Sequence, residues 1–248
     1  MTRRVDARPA RRQLRDLRAI AGAHVTRDDC MDLLVQHALT KPLFDALFTR
    51  PYPFVAQTRI SRALAGPLQI LEATISDADT APLDGLYRQA ADRAAAVTNH
   101  AERQPLITAL YEHFFRTALP RVADRHGIVF TPVEVVDFIL RGTDQALRKS
   151  HRCGLADERV QILDPFAGTG IFTVRLIQSD LIADADLSRV YRQQMHGHEI
   201  VPLSWYIATV NIEIAYAERT QRYLPFTGLR LVDTFDNPPC CDRGRTDG

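Results

Sequence analysis

The sequence predicts an α/β protein in two parts: a helical first half, then strands alternating with helices around a parallel sheet. Through residues 12–119 apolar residues recur at helical spacing between Pro, Gly and Asp breaks, with no β-alternation and no internal repeat. After Pro120, short apolar runs at Val160–Leu163, Met195–Ile200 and Gly228–Phe235 are separated by helix-length segments. Strands spaced this way argue for βαβ units and parallel pairing.

Each element has its own warrant. "TRDDCMDLLVQHALTKPLFDALF" opens with Thr26 and, three residues on, Asp29, a plausible capping pair. Leu33, Leu34, Ala38, Leu43 and Leu47 follow at helical spacing, broken at Pro42. "LAGPLQILEATI", "PLDGLYRQAADRAAAV" and "PLITALYEHFFRTALP" repeat the pattern. His37, His100 and His113 are scattered over different helices and read as surface or core histidines rather than ligands. In "GIVFTPVEVVDFILRGTDQALRK", Thr131 as N-cap, Pro132 at the first helical position and Glu134 at the third predict a capping box. Helices are further predicted in "IFTVRLIQSDLI" and "PLSWYIATVNIEIAYAERT".

Composition sets the bounds. The chain has 248 residues, 46% hydrophobic and 25% charged, room for one large domain or two small ones. A formal net charge of +1 gives no bulk electrostatic case for nucleic acid. Seven arginines crowd residues 3–18, and Lys41 and Lys149 are the only lysines; residues 1–11 read as a solvated basic arm. Cys30, Cys153, Cys240 and Cys241 lack CxxC spacing, which favours a reducing, cytoplasmic setting. No apolar run approaches the roughly 20 residues needed to span a bilayer. The Arg-rich start lacks the apolar core of a signal peptide.

The chemistry concentrates at predicted strand ends. In "ILDPFAGTG" the first strand delivers Asp164, and the turn with Gly168 and Gly170 starts a helix. Ligands of open α/β sheets bind at such carboxyl ends, where glycine lets them approach the backbone. The string lacks the GK[ST] ending of a phosphate-binding loop and the full G-x-G-x-x-G of a dinucleotide site, which makes a dehydrogenase the weakest reading. An acid before the turn suits a positively charged amino-acid tail better than a pyrophosphate. Glu199 ends the second strand, where a carboxylate can accept both hydroxyls of a ribose. Asp233, at the third, could meet an adenine.

Together, "GIVFTPVEVVDFI", "ILDPFAGTGIFTVRLIQSDLI", "HGHEIVPLSWYIATVNIEIAY" and "PFTGLRLVDTF" resemble the cofactor-binding half of an N6-adenine DNA methyltransferase. The likeness is to the large single-chain type ISP restriction–modification enzymes, and "RDDCMDLLVQHALTKPLFDALF" is similar to their helical coupler. The resemblance implies a coupler-like domain over 12–119 and a partial, doubly wound, Rossmann-like methyltransferase domain over 120–235. It implies S-adenosyl-L-methionine as cofactor, no metal, and double-stranded DNA as partner. Phe130, Thr131 and Pro132 match the segment that contacts the methionine end, and Asp164, Phe166, Gly168 and Gly170 match the cofactor loop. Glu199 matches the ribose ligand and Asp233 the adenine contact, with Phe235 nearby. The target adenine would be flipped out and held by an Asn oxygen and a Pro carbonyl, with positioning as the main source of rate.

No helicase motif, nuclease core or target-recognition domain is legible. The resemblance therefore implies a piece that binds cofactor and transfers little methyl alone, or a non-catalytic coupling module for a separate helicase, nuclease or target-recognition polypeptide. RNA or protein amines remain alternative substrates. The tail "DNPPCC" offers Asn237, Pro238 and Pro239 as a catalytic string. Asn237 stands only four residues after Asp233, too close for a further strand, and Cys240 stands where an aromatic is expected. Residues 236–248 read as a disordered tail, with those three the sole candidates for a displaced catalytic motif.

Overall fold

The computed structural model describes residues 34–39, 81–96 and 131–236, with single positions 15, 26, 28, 31, 62, 65, 66, 69 and 106. In the first half, residues 34–39 are helical, and a 3-10 turn at Ala81–Leu83 runs into helix α1, Asp84–Ala96. Asp84 sits in its first turn, where a carboxylate meets the positive end of the helix dipole. Leu83, Leu86 and Ala90 are buried at spacings of three and four, the one-face pattern of a helix. The Tyr87 hydroxyl donates to the Leu39 carbonyl at 2.5 Å, tying α1 to the 34–39 segment. Burial, then the nearby Asp84 carboxylate, pushes the Tyr87 phenol up, so it stays a donor.

The second half runs α2 (Val133–His151), β1 (Ile162–Asp164), α3 (Ile171–Gln178), α4 (Asp184–Gln193), β2 (Met195–Glu199), α5 (Pro202–Thr220) and β3 (Leu229–Leu231). The strands form a parallel sheet in the order β1-β2-β3. Parallel neighbours need crossover connections, supplied here by α3 with α4 and by α5. Helix α3 packs on both α5 and α2, which places the crossovers on one face of the sheet. Crossovers of one hand give that layering when strands are added in a single direction.

Register assigns the sheet's faces. Ile162 lies beside Met195, Asp164 beside Gly197, Gly197 beside Leu229, and Glu199 beside Leu231. Residues in register share a face and alternate along a strand. Met195, Gly197, Glu199, Leu229 and Leu231 therefore face the helices, while Leu163, His196, His198 and Arg230 face away. The neighbours are tight: a Cβ on Gly197 would lie 2.6 Å from Leu229 Cδ1, and one on Gly228 would lie 2.1 Å from the Met195 carbonyl oxygen.

Helix α5 is buried at every position from Leu203 to Tyr216. A helix buried all round belongs inside a protein, and Glu213 and Trp205 on this one are hydrogen-bonded to the segment that leads to β3 and to β3 itself. Glu213 accepts from the Phe226 N–H and the Tyr223 hydroxyl, steering the chain toward β3. The Trp205 indole N–H donates to the Leu229 carbonyl on β3 itself. The His37 ring packs edge-on against Tyr206 at 4.7 Å, so the helical first half shares its core with α5. His37 is a core histidine, as expected. Among the described residues no helix is long and apolar enough to cross a membrane.

Three expectations need correction. Helix α4 was not foreseen; only Leu187, Val190 and Tyr191 of it are buried, and the rest reads as a polar linker. The capping box does not form. Pro132, at ψ 143°, is itself the N-cap, and its carbonyl accepts from the Val135 and Val136 N–H groups. The helix therefore starts one residue later, Glu134 falls at its second position, and no side chain caps it. The strands are also displaced: β1 spans Ile162–Asp164 rather than 160–163, and β3 stops at Leu231, leaving Asp233 in the following turn.

Two glycine substitutions read this packing. Gly228→Ala forces a methyl against the backbone of β2 and should destabilise the chain by roughly 2–4 kcal/mol in denaturant unfolding. Gly142→Ala, on the open face of α2 with nothing within 4 Å, should stabilise it by about 0.5–1 kcal/mol.

Candidate functional site

The carboxyl edge of the sheet gathers what the sequence singled out. The turn after β1 is pinned from several sides. The Ala167 N–H donates to the His198 carbonyl at 2.8 Å, and the Gly170 N–H to the Ala167 carbonyl at 2.7 Å. Gly168 and Gly170 adopt φ of 55° and 82°, the left-handed region where a side chain costs about 1–2 kcal/mol. Gly170 also backs onto α5, since a Cβ there would come within 3.1 Å of Ile212 Cδ1. From the same helix the Asn211 amide donates to the Thr169 carbonyl at 3.0 Å.

Glu199 closes this turn against β2. Its Oε2 accepts the Gly168 N–H at 2.8 Å and its Oε1 accepts the Val201 N–H at 2.7 Å. Burial pushes its carboxyl up to about 7 despite these bonds, and the Asp164 charge adds to the rise. Asp164 accepts the Phe166 N–H at 3.2 Å through Oδ1, while Oδ2 is buried with no partner. Its carboxyl is also raised, mainly by burial. Among the described residues, no cation faces these two carboxylates. Acids perturbed in this way, on an edge lined by backbone, make it the candidate site for a ligand with complementary donors.

The turn after β3 repeats the one after β1. In Asp164-Pro165-Phe166 and in Asp233-Thr234-Phe235, the Asp Oδ1 accepts the N–H of the Phe two residues on, at 3.2 Å and 2.9 Å. The two Phe rings are 66% and 82% exposed and lie 5.8 Å apart. Phe166, Gly168, Gly170, Asp164, Glu199, Asp233 and Phe235 are therefore brought to one edge. Thr131 and Pro132 open α2, which packs on α3, and no hydrogen bond joins them to that edge among the described residues. Phe130, Asn237, Pro238 and Pro239 lie outside the described residues.

Sequence reasoning missed His198, Thr234 and Asn211. The Thr234 hydroxyl donates to the Pro165 carbonyl at 2.6 Å and meets His198 Nδ1 at 3.2 Å. The recurrence of Asp-x-Phe after the first and third strands was a legible signal for this junction. Asn211 sits in a helix predicted as packing and carried no signal of its own.

The family model of the N-6 DNA methylases matches residues 102–245, more than half of the chain. The chain belongs to the N-6 DNA methylase family. The model of the type ISP restriction–modification enzyme coupler domain matches residues 7–102, so the chain carries a coupler-like segment ahead of its sheet. No protein of curated function matches the chain. Solved structures do. The chain is similar to DrdV, solved as a DNA complex, at 35% identity and a TM-score of 0.70, over 92% of this chain and 22% of that one. A nuclease-deletion mutant of the type ISP restriction–modification enzyme LlaGI, in complex with a DNA substrate mimic, matches at 35% identity and 0.68 over 93% and 19%. The ATP-dependent type ISP enzyme LlaBIII, bound to DNA, matches at 36% and 0.70 over 97% and 16%. The chain thus spans about a fifth of the length of these relatives. The expected two-part α/β architecture holds: a helical coupler followed by a methyltransferase-like part with a small parallel sheet.

The raised Glu199 carboxyl gives the chain a pH signature. Folded, Glu199 holds its proton to about pH 7; unfolded, it releases it near 4.5. Its contribution to stability is therefore full below pH 4.5 and is lost as pH rises through 7. Glu199→Gln removes this titration, so the variant's stability should lack a pH-dependent loss of up to about 3 kcal/mol present in the unmodified chain. Paired urea melts between pH 4.5 and 8 read the difference, and parallel curves would contradict the assignment.

Proposed function

We propose that the carboxyl edge of the sheet is the S-adenosyl-L-methionine site of a methyltransferase that acts on adenine N6 in DNA. One observation carries the reading: the buried, unpartnered Asp164 Oδ2 beside a glycine turn, with Glu199 as the next acid along the edge. A carboxylate oxygen cut off from water and from every donor among the described residues fits a ligand ammonium. Glu199 has acceptor capacity left on both oxygens after its two backbone bonds, enough for a ribose diol. These residues fit an amino-acid tail joined to a nucleoside.

In this reading Asp164 takes the ammonium, and Gly168 and Gly170 let the ligand lie against the backbone. Glu199 holds the ribose hydroxyls, Asp233 faces the adenine, and Phe166 and Phe235 supply apolar cover. Phe130, Thr131 and Pro132 contribute toward the methionine end. The bound cofactor supplies a methyl group on a sulfonium, an electrophile that needs no metal. The chain's own work is to orient that group and exclude water from it, so positioning carries the rate. Asn237, Pro238 and Pro239 remain the one Asn-Pro-Pro string available to accept hydrogen bonds from a flipped adenine. Cys240 supplies no stacking ring, so we expect little methyl transfer from this chain alone.

DNA is the partner we assign, since DrdV, LlaGI and LlaBIII were each solved with DNA or a mimic of it. A cytoplasmic setting agrees with such a role. A second reading, a coupling module for a separate helicase, nuclease or target-recognition polypeptide, draws on the core shared between His37 and Tyr206. A coupler-like half packed directly on α5 suits the transmission of force or position into the sheet.

Titration calorimetry with S-adenosylhomocysteine tests the first reading. The unmodified chain should bind, and Asp164→Asn should weaken binding at least tenfold while its ligand-free stability at pH 7.5 holds or rises. Donors from the ribose favour ionised Glu199, so binding should release protons and tighten as pH rises from 6 to 8. No binding at any pH, or affinity indifferent to Asp164, would sink the proposal.

A further inference from the structure

We infer that Thr234 and His198 are positioning residues that clasp the exits of β1 and β3 together and so set the spacing across the proposed cofactor edge. The inference rests on the cofactor reading above and names residues to which that reading gives no role. Strand β2 lies between β1 and β3, so their exits are roughly 10 Å apart at the usual strand spacing. They nevertheless meet: the Thr234 hydroxyl donates to the Pro165 carbonyl at 2.6 Å. The meeting point lies beyond β2 on the face away from the helices, because His198 of β2 points to that face and its Nδ1 reaches the same hydroxyl at 3.2 Å. The chain leaves β2 toward α5 on the other side, which clears this space.

Proton counting fixes the directions. Thr234 has one hydroxyl hydrogen and the Pro165 carbonyl can only accept, so that hydrogen goes to Pro165. The hydroxyl must then accept from His198, which makes Nδ1 the protonated nitrogen of the ring. Burial first, and then Arg230 and His196, hold the imidazole below its ordinary value, so it is neutral at pH 7 and keeps this single tautomer. The chain His198 to Thr234 to Pro165 has every hydrogen assigned and no alternative orientation.

What it joins gives it function. Pro165 is the middle residue of the Asp164–Phe166 turn, and Thr234 is the middle residue of the Asp233–Phe235 turn. The two Asp-x-Phe turns are thus linked centre to centre, and their rings lie 5.8 Å apart. His198 precedes Glu199, so the third acid is set by the same strand end. A ligand that touches Asp164 at one end and Asp233 at the other spans two turns that this hydroxyl joins directly.

Isosteric replacement of that hydroxyl tests the clasp. In the full chain, Thr234→Val should weaken S-adenosylhomocysteine binding at least fivefold, and Thr234→Ser should stay within twofold of the unmodified protein. Nitrogen NMR of the histidines should find His198 protonated at Nδ1, with loss of that single-tautomer signature in Thr234→Val. Should Thr234→Val fail to fold, His198→Asn, which keeps a donor, against His198→Leu, which does not, gives the same contrast. Binding by Thr234→Val as tight as by the unmodified chain overturns the clasp and leaves the cofactor reading intact. Absence of binding by the unmodified chain overturns the cofactor reading, and the clasp with it.

Discussion

Helix α5 has no solvent-facing side over Leu203–Tyr216, and the described structure is organised by that constraint. One side lies on β2 and β3 and another on α3, while Tyr206 receives His37 from the first half. Every polar group on such a helix must find its partner inside the protein or carry the full cost of desolvation. Glu213 meets it by organising the approach to β3, and Asn211 by holding the Thr169 carbonyl. Burial therefore turns α5 into the part that sets where the glycine turn and the third strand stand. Ala208 and Ile212 press on Gly170 from the same helix, and together with its φ of 82° this favours glycine there.

The carboxyl edge obeys the opposite rule. Asp164 and Glu199 are acids whose carboxyls are pushed up by burial, and no cation faces them among the described residues. A chain selected for stability alone would pair them, as it pairs Asp137 with Arg175 between α2 and α3 at 2.7 Å. Arg175 pulls the Asp137 carboxyl down, the normal outcome for a structural ion pair. The two kinds of acid differ in this respect: Asp137 on α2 has a guanidinium partner, while Asp164 at the end of β1 and Glu199 at the end of β2 have none among the described residues. Unmet polar capacity concentrated at one sheet edge is the usual cost of a preformed ligand site.

The sequence made much of this edge legible and left its reinforcement hidden. Asp164, Gly168, Gly170 and Glu199 could be read because local strand–turn–helix grammar puts them at strand ends whatever the rest of the chain does. Helix α4 was not readable: three buried residues, Leu187, Val190 and Tyr191, give too weak a period among the charges around them. Thr131-Pro132-Glu134 satisfied a capping pattern, yet the extended ψ of Pro132 moved the helix start by one residue, and a pattern defined by position fails on a single step. His198 and Thr234 meet across 36 positions of sequence, and no local rule anticipates a bond of that separation.

That hidden reinforcement bears on how an edge made of three separate strand ends can act as one site. Backbone pairing holds the strands side by side, but β1 and β3 are only three residues long and share no ladder. Their turns would move independently if the sheet were the sole connection. Glu199 removes part of that freedom by binding Gly168 to the end of β2. Backbone bonds from Ala167 to His198 and from Val232 to Glu199 remove more, and Thr234 adds the one direct bond between the β3 turn and the β1 turn among the described residues. The Glu199 bond lies on the face toward the helices and the Thr234 bond on the face away from them, so the end of β2 is bracketed from both sides. Side-chain bonds on opposite faces restrain twisting as well as separation, which a single bond cannot. A site that acts by positioning needs that stiffness before its ligand arrives, because any ordering left until binding is subtracted from affinity.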